Sequence, residues 1–115
     1  MRWLTLIAAM TAVLAASAAA QPSNKTGLTL ELWCMSDRED DKVACSHYLV
    51  GVADGLTAAR AFGKSTLCMD ATRPLSPEEL RHAFLEWAAA HPEFRERPAA
   101  NDAVGALLAA FPCSP

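Results

Sequence analysis

Three segments of this sequence repeat apolar residues at steps of three and four, the spacing that places side chains on one face of an α-helix. They predict helices over residues 39 to 62, 77 to 90 and 99 to 111. A short apolar segment, residues 28 to 35, precedes them. The pattern predicts no sheet. We therefore expect an all-α fold, a small helical bundle of three main helices plus a short N-terminal segment.

Each predicted helix has an apolar stripe that we expect to face the core. The first stripe comprises Cys45, Tyr48 or Leu49, Val52, Leu56, Ala59 and Phe62. The second comprises Leu80, Ala83, Phe84, Trp87 and His91, and the third Ala100, Val104, Leu107, Leu108 and Phe111. Gly63 suits a C-terminal cap of the first helix. Pro92 ends the second helix, because the residue before a proline avoids helical geometry.

The second helix has a clear start signal. Ser76 is a good N-cap, Pro77 fits the first turn, and Glu79 stands where its side chain completes a capping box. We therefore interpret Glu78 and Glu79 as helix-start residues and not as a pair of catalytic acids. His91 is interpreted as a helix-end residue and not as a ligand.

Two glycines interrupt the first predicted helix. Gly51 and Gly55 each cost up to about 1 kcal/mol in helix propensity, which suggests that a neighbour approaches closely there. We expect Trp87 to be buried against them, because a flat indole fits the space that glycines leave. Asp54 lies between the glycines, and two interpretations stay open: a buried carboxylate with a specific partner, or a solvated residue on the polar face.

The N-terminus has the pattern of a cleaved export signal. Arg2 is followed by an apolar run over residues 3 to 15 and by a run of three alanines that ends at Ala20, after which we place the cut. The run is too short for a membrane span and no second one follows, so we expect no membrane anchor after cleavage. Residues 21 to 31 are interpreted as a flexible lead-in, and residues 32 to 113 as one domain.

The charge of the chain disfavours two classes of partner. Loss of Arg2 with residues 1 to 20 changes the formal net charge from −3 to −4. Nucleic acids and anionic membrane surfaces attract basic patches, and the longest cationic feature here is the broken run 95 to 97. We therefore expect neither as a partner.

Four cysteines in an exported chain of this size predict a disulfide-stapled domain. A bond between Cys45 and Cys68 would force the chain to double back along a helix of roughly 25 Å, so that pairing is rejected. The chosen pairs are Cys34 with Cys45 and Cys68 with Cys113, which should stabilise the fold by roughly 3 and 4 kcal/mol. A zinc site is disfavoured because the sequence has no Cys-x-x-Cys, and we expect no metal and no cofactor.

Catalytic patterns are scarce. A Cys/His nucleophile needs a free thiol, no serine stands in a Gly-x-Ser-x-Gly turn, and residues 51 to 55 lack the lysine and hydroxyl of a phosphate-binding loop. We therefore expect no enzyme activity.

Several elements occur together in a familiar order. They are the run from Cys45 to Gly55, a third cysteine, a capped helix that ends in the run from Trp87 to Glu93, and the C-terminal Phe111-Pro112-Cys113. Over residues 32 to 113 this order resembles the Rap/Tai-like immunity protein family of type VI secretion systems. The resemblance implies a periplasmic, helical, protein-binding inhibitor whose partner is an effector protein, a peptidoglycan amidase in the known members.

The chain departs from that family after its third cysteine, where the proline that usually follows two residues later is delayed to Pro74. Loops carry many binding contacts, so the loop from Cys68 to Pro77 is the leading contact candidate, and the alternative interpretation is a connector that nothing constrains. It holds Met69, Asp70, Arg73 and Leu75 as candidate partner-binding residues. The turn from His91 to Pro98 is the second choice. The alternative function is a periplasmic stress chaperone or another helical envelope protein. The oligomeric state stays open, and a homodimer is one candidate.

Overall fold

A computed structural model describes residues 25–63 and 75–113 of the chain. Those residues form four α-helices and one short 3₁₀ helix: α1 (Gly27–Met35), α2 (Glu39–Ala61), α3 (Pro77–Ala90), the 3₁₀ turn Pro92–Phe94, and α4 (Ala99–Ala110). They contain no named strand, and an isolated bridge of extended backbone joins Thr26 and Pro98. The all-α class is confirmed, and α2 to α4 end within one residue of their predicted limits.

The short segment that the sequence pattern places before the three main helices forms a helix of its own, α1. Thr26 caps α1, because its side-chain oxygen accepts the backbone N–H of Thr29 at 3.3 Å. Leu30, Glu31 and Cys34 of α1 are buried, so this helix belongs to the core. Residues 27 to 31, placed in the lead-in by the sequence pattern, form its first turns.

The core takes side chains from all four α-helices. Its fully or almost fully buried members are Leu30, Cys34, Cys45, Leu49, Leu80, Phe84, Ala99, Ala103, Ala106 and Leu107. The predicted stripe of α4 is partly wrong, because Ala100 is exposed whereas Ala99, Ala103 and Ala106 are buried. In an alanine-rich helix, apolar character does not identify the inner face. Packing against α1 and α3 decides it.

Cys34 and Cys45 form the predicted disulfide between α1 and α2, with 5.0 Å between their Cα atoms. Beside it, the Arg81 Nε of α3 donates a 2.6 Å hydrogen bond to the carbonyl of Cys34, which lies at the end of α1. Cys113 is also disulfide-bonded. Cys68, its predicted partner, lies outside the described residues.

The start of α1 is fastened to the turn before α4, and we call this contact the α1 clamp (residues 25–31 with 95–102). Its backbone hydrogen bonds run from Gly27 N to Arg97 O (2.9 Å), from Leu28 N to Arg95 O (3.0 Å) and from Ala99 N to Lys25 O (2.8 Å). All three satisfy N–H groups that the first turn of a helix leaves without partners, two of them in α1 and one in α4. The tertiary contact therefore also caps both helices.

Two carboxylates complete the α1 clamp. Glu31 is 8 % exposed and accepts two hydrogen bonds from Arg95, each 2.9 Å long. Asp102 is 5 % exposed and lies so close to Gly27 that a Cβ there would stand 1.8 Å from its Oδ2. Residue 27 must therefore be glycine for this carboxylate to keep its position.

The predicted contact of Trp87 with Gly51 and Gly55 is wrong. Both glycines are exposed, and nothing lies within 4 Å of where their Cβ atoms would be. At ~100° per residue they point away from the buried stripe of α2 (Cys45, Leu49 and Ala53). Trp87 instead packs on Gly105 of α4. A Cβ atom on Gly105 would stand 3.0 Å from Cζ2 of the indole.

Candidate functional site

A groove lies between α3 and α4, with a volume of about 760 Å³. We call it the α3/α4 groove. Its α4 side is formed by Ala106, Ala109, Ala110 and Phe111. Its α3 side has an inner apolar row, Ala83, Trp87 and Ala90, and an outer polar row, Glu79, His82 and Glu86. Ser76, Glu78 and His91 complete the lining.

Local sequence sets both rows of α3. The predicted capping box is confirmed: Ser76 Oγ accepts the N–H of Glu79 at 3.2 Å, and Glu79 Oε2 accepts the N–H of Ser76 at 2.8 Å. This fixes where α3 starts and hence which face each later residue takes. Within each row the residues follow one another at steps of three and four. The rows are offset from each other by one residue, so they lie side by side along α3.

Small side chains keep the groove open. Ala109 and Ala110 are exposed, whereas Ala106 below them is fully buried. A methyl group projects little from a helix, so another backbone can come close to α4 here. The indole of Trp87 is half-buried and gives the groove a flat apolar surface.

Stacked rings hold one end of the groove in place. The centroids of Trp87 and His91 lie 4.3 Å apart, and the Phe94 ring is 5.6 Å from Trp87 and 5.7 Å from His91. Arg97 lies over the Phe94 ring at 4.2 Å. His91 Nδ1 lies 2.8 Å from the carbonyl of Trp87, which can only accept, so Nδ1 carries the proton. His91 is thus a helix-end residue, as its position before Pro92 predicts.

The rim of the groove is acidic. Glu78 forms an ion pair with Arg81 at 2.6 Å, and Glu86 stands 3.8 Å from His82 Nε2. The side chain of Glu86 is 78 % exposed. The rim carries the carboxylates of Glu78, Glu79 and Glu86, whereas His82 is charged only when protonated, so the rim is acidic overall.

A second apolar surface lies on the outer face of α1. Leu28, Leu32 and Met35 follow one another at steps of four and three, and they are 37 %, 59 % and 62 % exposed. Val43 at the start of α2 is 43 % exposed. These four side chains are apolar, whereas the α3/α4 groove has carboxylates along one side.

The predicted contact loop is described only at its end. Leu75 is half-buried and packs against the core, next to the groove residue Ser76. Met69, Asp70 and Arg73 lie outside the described residues, and their role stays a prediction. Asp54 is exposed on α2, which favours the solvated interpretation of that residue.

The buried carboxylates are Glu31 and Asp102, which the sequence analysis did not single out. Burial raises the pKa of Asp102, and the nearby Arg97 opposes that shift. Burial also raises the pKa of Tyr48, and the negative charge of Asp102 adds to the effect. The only sequence signal for Glu31 was its place inside an apolar run between Leu30 and Leu32.

The described residues contain no group of three or more His, Cys, Asp or Glu side chains arranged to hold a metal ion. None of the helices within 25–63 and 75–113 is long and apolar enough to cross a membrane.

Comparison with known proteins gives one family. Residues 26–113, which span all four helices, match the Rap1a immunity proteins. The helical, disulfide-bonded domain with an open groove is thus an immunity-type domain, and the chain belongs to the Rap1a immunity protein family. No match was found among curated proteins or among solved structures.

Proposed function

We propose that this protein is a periplasmic inhibitor that binds a secreted peptidoglycan amidase and blocks it, so that the producing cell survives the enzyme. The observation that carries the proposal is the family match over residues 26–113. An immunity protein acts by binding its effector, which needs an accessible and stable surface. The α3/α4 groove and the apolar face of α1 are two such surfaces.

Two features support the proposed periplasmic compartment. The first twenty residues have the pattern of a cleaved export signal, and disulfides persist in an oxidising environment such as the periplasm. Peptidoglycan lies in the same compartment. An inhibitor exported there meets an incoming amidase where the enzyme acts.

A protection assay tests the proposal. Each candidate amidase whose gene lies near the gene for this protein is exported to the periplasm of a host that lacks an immunity protein. The host is grown with and without co-expression of the chain. Co-expression should restore growth against one of them, and the purified mature chain should inhibit that enzyme on isolated peptidoglycan. A catalytically inactive form of the enzyme provides the toxicity control.

Three results matter for the outcome. Protection against none of the candidates would contradict the proposal. Protection without a measurable complex between the two purified proteins would contradict direct inhibition. A chain variant that lacks residues 1 to 20 should stay in the cytoplasm and fail to protect, which tests the export step separately.

A further inference from the structure

The two sides of the α3/α4 groove differ in chemistry. Every lining residue contributed by α4 and the position after it is apolar, from Ala106 to Phe111. The α3 side adds the carboxylates of Glu78, Glu79 and Glu86, and the described lining contains no lysine or arginine. An occupant therefore meets an apolar wall on one side and an acidic edge on the other.

The acidic edge has a charge that a partner can use. Glu86 stands opposite the apolar wall, and its near neighbour His82 is uncharged unless protonated. Glu78 forms an ion pair with Arg81, which offsets its negative charge. The outer row of α3 therefore gives the groove a negatively charged edge, which attracts cations and repels anions.

The size of the groove fits a peptide segment. Its volume of about 760 Å³ lies within the range of roughly 300 to 1,000 Å³ that is usual for binding sites. Its alanines let a partner backbone approach closely, and Trp87 offers a flat surface to an apolar side chain. Grooves of this kind accept amphipathic segments whose apolar face lies inward.

We propose that the α3/α4 groove receives an amphipathic, basic segment of the effector protein. Its apolar side chains lie against Ala109, Ala110 and Phe111, and its lysine or arginine side chains lie along the Glu86 edge. This inference rests on the proposed function, since it names the contact by which the chain holds its effector. The asymmetry of the two sides fixes the orientation of the segment in the groove.

Charge complementarity favours this occupant over an anionic one. A segment rich in aspartate or glutamate would meet the carboxylates of the α3 side, and like charges at close range lower affinity. The apolar face of α1 has no charge with which to select an occupant. The α3/α4 groove is therefore the surface that can distinguish one effector segment from another.

Two groove variants test the inference against the effector that the protection assay identifies. Glu86→Lys reverses the charge of the acidic edge, and Ala109→Arg places a bulky cation in the apolar wall. Each should weaken the affinity by about tenfold or more, as expected for residues at the centre of a contact. Glu86→Gln, which keeps the shape and loses the charge, should fall between Glu86→Lys and the unaltered chain.

Matched controls carry the same changes outside the groove. Asp54→Lys and Ala58→Arg alter exposed residues of α2 that do not line the groove. Both should bind the effector within about twofold of the unaltered chain, and all variants should keep their helical content by circular dichroism. Higher salt should weaken binding of the unaltered chain more than binding of Glu86→Gln.

The outcomes separate the two proposals. An effector that binds the unaltered chain, Glu86→Lys and Ala109→Arg with equal affinity would overturn the groove inference and leave the proposed function standing. If no amidase binds, the proposed function fails. The groove is then tested with a synthetic amphipathic helical peptide that carries leucines on one face and lysines along one edge.

Nuclear magnetic resonance locates that peptide on the protein. The backbone signals of Ala83, Ala90 and Ala110 should shift, and a copy of the peptide with glutamates in place of lysines should shift them far less. Equal shifts with both peptides, or shifts confined to α1, would overturn the inference that the groove selects a basic segment.

Discussion

The α1 clamp and the α3/α4 groove are built from opposite kinds of contact. In the α1 clamp, Glu31 and Asp102 are buried, three backbone hydrogen bonds join distant segments, and Gly27 leaves no free space beside Asp102. In the groove, alanines leave a volume of about 760 Å³ open between two helices. One region is filled by the chain itself and the other is not.

This difference separates stability from binding. If a buried carboxylate loses its partner, an uncompensated charge stays buried and destabilises the fold. The α1 clamp should therefore tolerate little change. The groove exposes its charged rim and its outer alanines, and changes at exposed positions usually alter stability by less than about 0.5 kcal/mol. Residues of the groove can therefore be substituted without weakening the fold.

Removal of the Cys34–Cys45 disulfide should have the largest effect on stability. Replacing both residues by alanine frees a loop with a sequence separation of 11 residues, which costs about 3 kcal/mol in the chain-entropy model. Urea denaturation should show the loss. Because Cys34 and Cys45 lie outside the groove, the variant should still bind the effector while it is folded. A loss below about 1 kcal/mol would show that packing alone holds α1 on α2.

Gly27→Ala should have the second largest effect. Its Cβ would stand 1.8 Å from Asp102 Oδ2 and 3.3 Å from the carbonyl of Phe94, and such overpacking costs about 1 to 3 kcal/mol. The double variant with Asp102→Ala should recover part of the loss, because it removes the nearer obstacle. A fully stable Gly27→Ala protein would show that the α1 clamp is looser than its contacts indicate.

Gly105→Ala is the matched change on the groove side and should be much milder. The new Cβ would stand 3.0 Å from Trp87 Cζ2, so the indole must move slightly towards the open groove. Alanine also favours a helix over glycine by up to about 1 kcal/mol. The net change in the free energy of unfolding should be below about 1 kcal/mol. A loss as large as that of Gly27→Ala would contradict the distinction between the two regions.

Asp102→Asn should have the smallest effect and should appear as a change in pH dependence. Burial raises the pKa of Asp102, so between the unfolded and folded pKa values the folded chain holds more protons. Stability therefore falls as pH rises through that window, and the deficit persists above it. Asparagine does not titrate and so removes this contribution. The free energy of unfolding of the variant, relative to that of the unaltered protein, should therefore increase from pH 4 to pH 7. Urea titrations at both pH values would measure it, and an unchanged difference would contradict the raised pKa.

Local patterns were enough to predict α2, α3 and α4. Ser76 and Glu79 specify where α3 begins through contacts within four residues, and Gly63 ends α2 in the left-handed conformation that glycine favours. The Cys34–Cys45 pair was predictable because the two cysteines flank the start of α2, with Cys34 a few residues before it and Cys45 in its first turns. Such features depend on residues that are neighbours in the sequence.

The site was harder to predict. The acidic start of α3 was assigned correctly to helix capping, but nothing in the sequence showed that Glu86 and Ala109 would face each other across a groove. Trp87 was paired with the wrong glycines, because a glycine on a helix indicates a close neighbour only if it lies on the inner face. The sequence showed Gly51 and Gly55 but not the face on which they lie.

The amino-acid sequence by itself determined the helical class, the limits of α2, α3 and α4, the Cys34–Cys45 bond and the resemblance to immunity proteins, because periodicity, capping and cysteine spacing act over short stretches of chain. Only the tertiary structure decided that α1 is docked through Glu31 and Gly27, that α4 buries its alanines, and that a groove with one acidic side lies between α3 and α4. These features depend on which helix packs against which. That choice follows from how all four helices together bury apolar surface, which no single segment specifies.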